Sequence, residues 1–111
     1  ALNASGSAPI YACRAWVNFN GTGTVAIRAS GNVSSITDNG VGAYAVNFTT
    51  AMQDANYAGI GSVEAGGIAV LPTLSVNQGN NQTTSLVNLY ITTTSTATPT
   101  DIKNICVAIF R

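Results

Sequence analysis

Apolar and polar residues alternate along most of this chain with a period of two. In residues 11–19 every second position is apolar, whereas Arg14, Trp16 and Asn18 fall on the opposite face. Because successive side chains of a strand point to opposite faces of a sheet, this period predicts a β-strand. The same signature marks further segments at 24–30, 33–37, 44–48, 57–63 and 85–92.

Glycine, asparagine and proline separate these segments. Turn signals such as 20–23 and 38–40 recur roughly every 8 to 12 residues, the spacing typical of a sandwich or barrel. Gly59 and Gly61 interrupt one strand, which indicates a bulge or a close approach of another backbone. Pro72 separates 68–71 from 74–77, and it therefore predicts a bend or an edge strand.

Helix signals are almost missing, because Leu, Lys, Glu and Gln are scarce while Val, Ile and Thr are common. We therefore predict a single all-β domain over residues 1–111. Its expected architecture is an antiparallel β-sandwich, jelly-roll-like, with about seven to nine short strands.

The last predicted strand, 102–110, is apolar on both faces. Such a strand is usually buried on both faces, and in so small a domain one of them is expected to meet another subunit. The predicted interface residues are Trp16, Ile105, Val107, Ile109 and Phe110.

Charge is scarce, and this excludes several kinds of partner. Only 7% of the residues are charged and the net charge is zero, against about 25% charged in an ordinary domain. No basic stripe is present for nucleic acid, no Lys or Arg cluster for a membrane surface, and no apolar run for membrane insertion. Little repulsion between copies favours close packing of identical subunits.

Catalytic chemistry is not expected. The chain has no histidine, which rules out Ser-His-Asp and Cys-His arrangements. The acids Asp38, Asp54, Glu64 and Asp101 each stand alone in a predicted loop, where they are typical turn formers. We predict no enzymatic activity, no metal and no cofactor.

Two residue groups each have two interpretations. Cys13 and Cys106 form either a disulfide between the first and last strands or, as we favour, two buried free thiols. Arg14 and Arg28 form either a patch with Trp16 that stacks on a sugar or partner, or, as we favour, independently solvated or ion-paired side chains.

Two polar loops are candidates for partner binding. Residues 78–82 and 92–100 are rich in Asn, Gln, Thr and Ser, which make adaptable hydrogen bonds to glycans or proteins. The alternative is a plain solvated loop. The candidate residues are Gln78, Asn80, Asn81, Gln82, Thr94 and Thr96.

The N-terminal half also resembles a known kind of protein. Residues 9–58 read PIYACRAWVNFNGTGTVAIRASGNVSSITDNGVGAYAVNFTTAMQDANYA, and 105–111 read ICVAIFR. Both closely resemble segments of tailed-phage structural proteins, especially the C-terminal knob of tail fibres in cyanophage-like marine and freshwater phages. Residues 59–101 carry no such resemblance and are where variable binding loops are expected in these knobs.

The resemblance implies a homotrimeric virion component without enzymatic activity. It would bind a host receptor, a surface glycan or protein, as the tip of a tail fibre. The given sequence carries no fibre shaft before the knob, so it is either a fragment of a longer fibre or a module that stands alone. A standalone module would be the alternative, a capsid decoration (cement) protein that contacts other virion proteins. A polysaccharide depolymerase ranks third.

Overall fold

The structure, a computed structural model, describes residues 6–64, 72–76, 82–93 and 98–111, and these contain β-strands but no helix. The strands are β1 (Cys13–Asn20), β2 (Ala26–Gly31), β3 (Val33–Gly40), β4 (Ala43–Phe48), β5 (Ala58–Val63), β6 (Pro72–Val76), β7 (Leu86–Thr93) and β8 (Ile105–Phe110). The predicted all-β antiparallel sandwich is confirmed. The described ranges contain no helix that could span a membrane.

The eight described strands form two antiparallel sheets. Sheet A has the order β2-β1-β8-β5, and sheet B has the order β3-β4-β7-β6. Hairpins join β1 to β2, β3 to β4 and β6 to β7, whereas the chain passes to the other sheet after β2, β4, β5 and β7. The first and last strands therefore pair at the centre of sheet A.

The core lies between the sheets, and most of it is formed by alternate residues of the four central strands, with Val33, Met52, Tyr57 and Ile102 added from an edge strand and the loops. The residues of the central strands are Ala15, Val17 and Phe19 of β1, Tyr44, Val46 and Phe48 of β4, Val87, Leu89 and Ile91 of β7, and Ile105, Val107 and Ile109 of β8. An edge-to-face ring contact joins the sheets, with the Phe19 and Tyr44 centroids 5.4 Å apart. The period-two pattern thus identifies the inward faces.

One prediction about β8 needs correction. Ile105, Val107 and Ile109 are at most 4% exposed, because β8 lies at the centre of sheet A and turns this face toward sheet B. They have no surface left for another subunit. The opposite face, which carries Cys106 and Phe110, is only half-buried. The described residues therefore leave the second face of β8 partly open to solvent.

The two glycines of β5 allow the sheets to approach each other closely at one edge. A Cβ atom on Gly59 would lie 2.6 Å from Cγ1 of Val76, and one on Gly61 would overlap the Leu74 side chain. The two glycines thus make room for side chains of the facing strand β6, and not for another backbone as expected. Pro72 begins β6, which is the edge strand of sheet B, as its missing N–H group requires.

A polar cluster ties together the loops at one end of the sandwich. The Tyr44 hydroxyl lies 2.7 Å from both the Gly21 carbonyl oxygen and Asp101 Oδ1, to either of which it can donate. The Gly42 N–H donates to the same Asp101 oxygen at 2.8 Å. Burial, followed by the hydrogen bond to Asp101, raises the pKa of Tyr44, so the phenol keeps its proton and acts as a donor.

Candidate functional site

The outer face of sheet A is the most distinctive surface of the described residues. The register places Ala108 of β8 between Trp16 of β1 and Ile60 of β5, so an apolar row crosses three strands. Trp16 is 44% exposed and Ile60 is 60% exposed. With Cys106 and Phe110 on the same face of β8, they form what we call the apolar face. A shallow groove of about 480 Å³ runs along it.

A glycine on the neighbouring strand extends the apolar face. Gly31 of β2 pairs with Trp16, and a Cβ atom at this glycine would overlap the indole ring. The indole therefore lies across β2 as well as beside β8. The sequence pattern places Trp16 outside the core but carries no signal for this cross-strand pairing, because register is set by the folded sheet.

The arginines lie at the margins of the apolar face and not together over the indole. Arg28 donates to Asn18 Oδ1 at 3.1 Å and to the Lys103 carbonyl oxygen at 2.7 Å. Arg14 donates from Nε to the main-chain oxygen of Arg111 at 3.1 Å, at the other end of β8. The favoured interpretation of separate arginines fits this geometry, and the joint patch with Trp16 does not form.

The outer face of sheet B is chemically different. Asn47 of β4 donates to Ser35 Oγ at 3.1 Å and to Thr37 Oγ1 at 2.9 Å, which covers the β3–β4 surface with amide and hydroxyl groups. The exposed large apolar side chains among the described residues are Ile10, Tyr11, Trp16, Val41 and Ile60. Two of these lie on the apolar face, and sheet B's outer face carries none of them.

A second concave site lies at the end of the sandwich opposite the Tyr44 cluster. This groove, the Arg14 groove, has a volume of about 330 Å³. Its lining residues are Arg14, Asn32, Thr50, Ala51, Met52, Gln53 and Arg111. Asn32, at a φ of 56°, forms its back wall. Its Nδ2 donates to the Arg14 and Thr50 carbonyl oxygens at 3.1 and 3.0 Å, and its Oδ1 accepts from the Thr50 N–H at 2.7 Å.

An ion pair holds Arg111, one of the residues that line the Arg14 groove. Arg111 donates from Nε and Nη2 to the two carboxylate oxygens of Asp54, at 2.9 and 2.8 Å. This bidentate pair, helped by the Asn56 N–H, lowers the pKa of Asp54 to about 2, and the carboxylate in turn raises the pKa of Arg111. Arg111 is thus paired within the chain.

The Asp54 pair predicts an acid-dependent loss of stability. The pKa of Asp54 is depressed in the fold, so its stabilising contribution is complete above the ordinary aspartate value and falls as the pH drops from about 4 to about 2. The melting temperatures of the wild type and of Asp54→Asn, measured between pH 6 and pH 2, should therefore differ at pH 6 and become similar near pH 2. A stability difference that is unchanged across this range would contradict the assignment.

Gln82, one of the residues predicted to contact a partner, makes hydrogen bonds within the chain. Its half-buried amide nitrogen donates to the carbonyl oxygens of Ala55 and Tyr57, both at 2.8 Å. The Tyr57 hydroxyl lies 2.8 and 2.9 Å from the carbonyl oxygens of Thr83 and Leu86, and burial raises the pKa of Tyr57 to about 12. The other predicted loop residues, Gln78, Asn80, Asn81, Thr94 and Thr96, lie outside the described residues.

The two cysteines are free. Cys13 pairs with Phe110 in the β1–β8 ladder, whereas Cys106 pairs with Asn18 near the other end of the same ladder. Of the two interpretations, free thiols are therefore the observed one, although Cys13 is exposed and Cys106 is half-buried where burial was expected.

Within the described parts of the chain, no three His, Cys, Asp or Glu side chains are grouped closely enough to hold a metal ion. Comparison with known proteins adds no relative: no protein-family model, no curated protein and no solved structure matches this chain.

Proposed function

We propose that this chain is a non-enzymatic structural domain of a tailed-phage virion. In this proposal it forms a homotrimer at the tip of a tail fibre and attaches to the host cell surface. The observation that carries the proposal is the apolar face, where Trp16, Ile60 and Phe110 cover the outer side of the two-faced strand β8 and its neighbours. The resemblance of residues 9–58 to fibre knobs supplies the virion context.

The physical argument for self-association rests on desolvation. Burial of apolar surface lowers the free energy by about 25 cal/mol per Å² removed from water. Identical chains carry the same apolar surface and can therefore bury it against one another. Arg14 and Arg28 hydrogen-bond at opposite margins of the face, so packing of its centre buries neither guanidinium group. With only 7% charged residues, the chains also repel one another weakly.

A substitution on the apolar face is expected to dissociate the trimer. The wild type should sediment at about three times 11.3 kDa at micromolar concentration, and Ile60→Ser should sediment as a monomer. The reason is that Ile60 is 60% exposed in the single chain and would lie in the buried interface of the assembly. Analytical ultracentrifugation gives both masses.

Val41→Ser is the matched control, because Val41 is equally exposed at 60% but lies in the β3–β4 turn, away from sheet A. It should leave the trimer intact. A wild-type chain that remains monomeric, or a Val41→Ser variant that dissociates as readily as Ile60→Ser, would overturn the proposed interface.

Host attachment needs a separate measurement. The fluorescently labelled protein, applied to a panel of cyanobacterial strains, should bind the surface of some strains and compete with phage adsorption to them. Binding to phage heads in place of cells would identify a capsid decoration protein and refute the fibre-tip assignment.

A further inference from the structure

Two asparagines of the chain are each followed by glycine, and their surroundings in the fold differ. Asn20-Gly21 lies at the end of β1, and Asn39-Gly40 lies at the end of β3. In such a pair the glycine nitrogen can attack the side-chain carbonyl carbon of the asparagine, because glycine has no Cβ atom to hinder the approach. The reaction also requires that the asparagine side chain and the glycine nitrogen are free to meet.

The Asn20-Gly21 pair is held by hydrogen bonds on both sides of the bond that would have to form. Asn20 Oδ1 accepts from the Thr22 N–H at 2.9 Å and from the Thr22 hydroxyl at 2.7 Å. Gly21 is buried, and its N–H donates to the Ile102 carbonyl oxygen at 2.9 Å. A Cβ atom at Gly21 would lie 2.5 Å from the Tyr44 hydroxyl oxygen. Ring closure here would break these bonds in a crowded site.

The Asn39-Gly40 pair is open. The β3–β4 ladder pairs Asp38 with Tyr44 and Gly40 with Ala43, so Asn39 is the extra residue of a bulge. Both residues of the pair are exposed, and a Cβ atom at Gly40 would have nothing within 4 Å. Among the described residues no hydrogen bond holds the Asn39 side chain. The Gly40 N–H donates to Asp38 Oδ1 at 3.1 Å, but at the surface water competes for this bond.

We propose that Asn39 is a site of spontaneous deamidation in the folded protein and that the fold protects Asn20 from the same reaction. The Gly40 nitrogen loses its proton to water and forms a bond to Cγ of Asn39. The side-chain nitrogen takes a proton from water and leaves as ammonia. Water then opens the resulting succinimide ring at either carbonyl carbon, which yields an aspartyl or an isoaspartyl residue at position 39. Water is the only co-reactant.

Deamidation would change the charge of the chain and, in the isoaspartyl product, its backbone. The starting chain has a net charge of zero, so the product carries a net negative charge, with its new carboxylate next to that of Asp38. The isoaspartyl linkage routes the main chain of the β3–β4 turn through the former side chain. This turn lies away from the apolar face, so the site contacts water in the proposed trimer too, and the inference does not depend on that assembly.

The test is a time course of the intact protein at mildly alkaline pH, followed by anion exchange and by tandem mass spectrometry of tryptic peptides. Cleavage after the basic residues places Asn20 in peptide 15–28 and Asn39 in peptide 29–103, so each rate is measured separately. Deamidation at Asn39 should be at least about tenfold faster than at Asn20, because ring closure at Asn20 must first break hydrogen bonds. In concentrated urea the two rates should become similar.

Two variants assign the acidic product that anion exchange separates. Asn39→Gln should remove it, because a glutamine side chain would have to close a larger ring, whereas the matched variant Asn20→Gln should leave it in place. Absence of deamidation at Asn39, or a rate at Asn20 that equals or exceeds it in the folded protein, would overturn the proposal. A difference that persists unchanged in urea would also overturn it, because local sequence and not the fold would then be the cause.

Discussion

Gly42→Ala is expected to lower the free energy of unfolding by about 3 kcal/mol or more. Gly42 has a φ of +70°, and a Cβ atom there would lie 2.5 Å from the Ile91 carbonyl oxygen and 2.9 and 3.0 Å from N and O of Thr100. All three neighbours are backbone atoms, so no side-chain rotation can relieve the overlap. Its own N–H and C=O groups also bind Asp101 and Ile91, so a shift would break hydrogen bonds.

Gly23→Ala provides the matched control. Gly23 has nearly the same backbone conformation, with a φ of +60°, but a Cβ atom there would have nothing within 4 Å. It should therefore show only the strain of a left-handed residue, about 1 kcal/mol. Urea unfolding monitored by circular dichroism measures both variants. An equal decrease in the free energy of unfolding of the two variants would mean that the left-handed backbone conformation causes the whole effect and that the crowding at Gly42 contributes nothing.

The period of the sequence identifies the strands because burial acts on alternate residues. The fourth predicted strand, with Tyr44, Val46 and Phe48 on one face, corresponds to β4 with those three side chains in the core. The start of the first strand is predicted less accurately: alternation places Tyr11 in the strand, but β1 begins at Cys13 and Tyr11 is 65% exposed. The alternation of apolar and polar residues in the sequence extends beyond the residues that are hydrogen-bonded to a neighbouring strand.

The contacts that build the Tyr44 cluster and the Arg14 groove cannot be read from such patterns. Asp101 and Tyr44 are 57 residues apart in the chain, and so are Arg111 and Asp54. Each acid is predicted from its local loop to be a turn former, and Asp54 does accept a hydrogen bond from the Asn56 N–H. Its bond to Arg111 and that of Asp101 to Tyr44 join residues far apart in the chain. Pairing of this kind depends on which strands become neighbours, and local sequence does not specify that.

The strand β8 shows the same limit in another form. Alternation predicts which of its residues share a face, but both faces are apolar, so the pattern cannot say which one turns inward. Which face lies inward is determined by the pairing of β8 with β1 and by the packing against sheet B. As a result, Ile105, Val107 and Ile109 lie in the core. A test of this assignment needs two adjacent residues that lie on opposite faces.

Val107→Asp and Ala108→Asp provide that test. Val107 is 4% exposed between the sheets, so an aspartate there would place an unpaired carboxylate in the core and also remove packed methyl groups. We expect the free energy of unfolding to fall by about 5 kcal/mol or more, which is comparable with the total stability of many small domains. The variant should lack the circular dichroism spectrum and the cooperative thermal unfolding of a folded β-protein.

Ala108→Asp introduces the same charge one residue further along, on the half-buried apolar face between Trp16 and Ile60. There the carboxylate remains in contact with water, so the β-sheet spectrum and cooperative unfolding should persist while sedimentation shows a monomer. Unfolding of both variants would mean that the outer face of β8 is buried within the single chain. A folded Val107→Asp variant would mean that the inward and outward faces of β8 have been assigned the wrong way round. A folded, trimeric Ala108→Asp variant would exclude the apolar face as the contact between subunits.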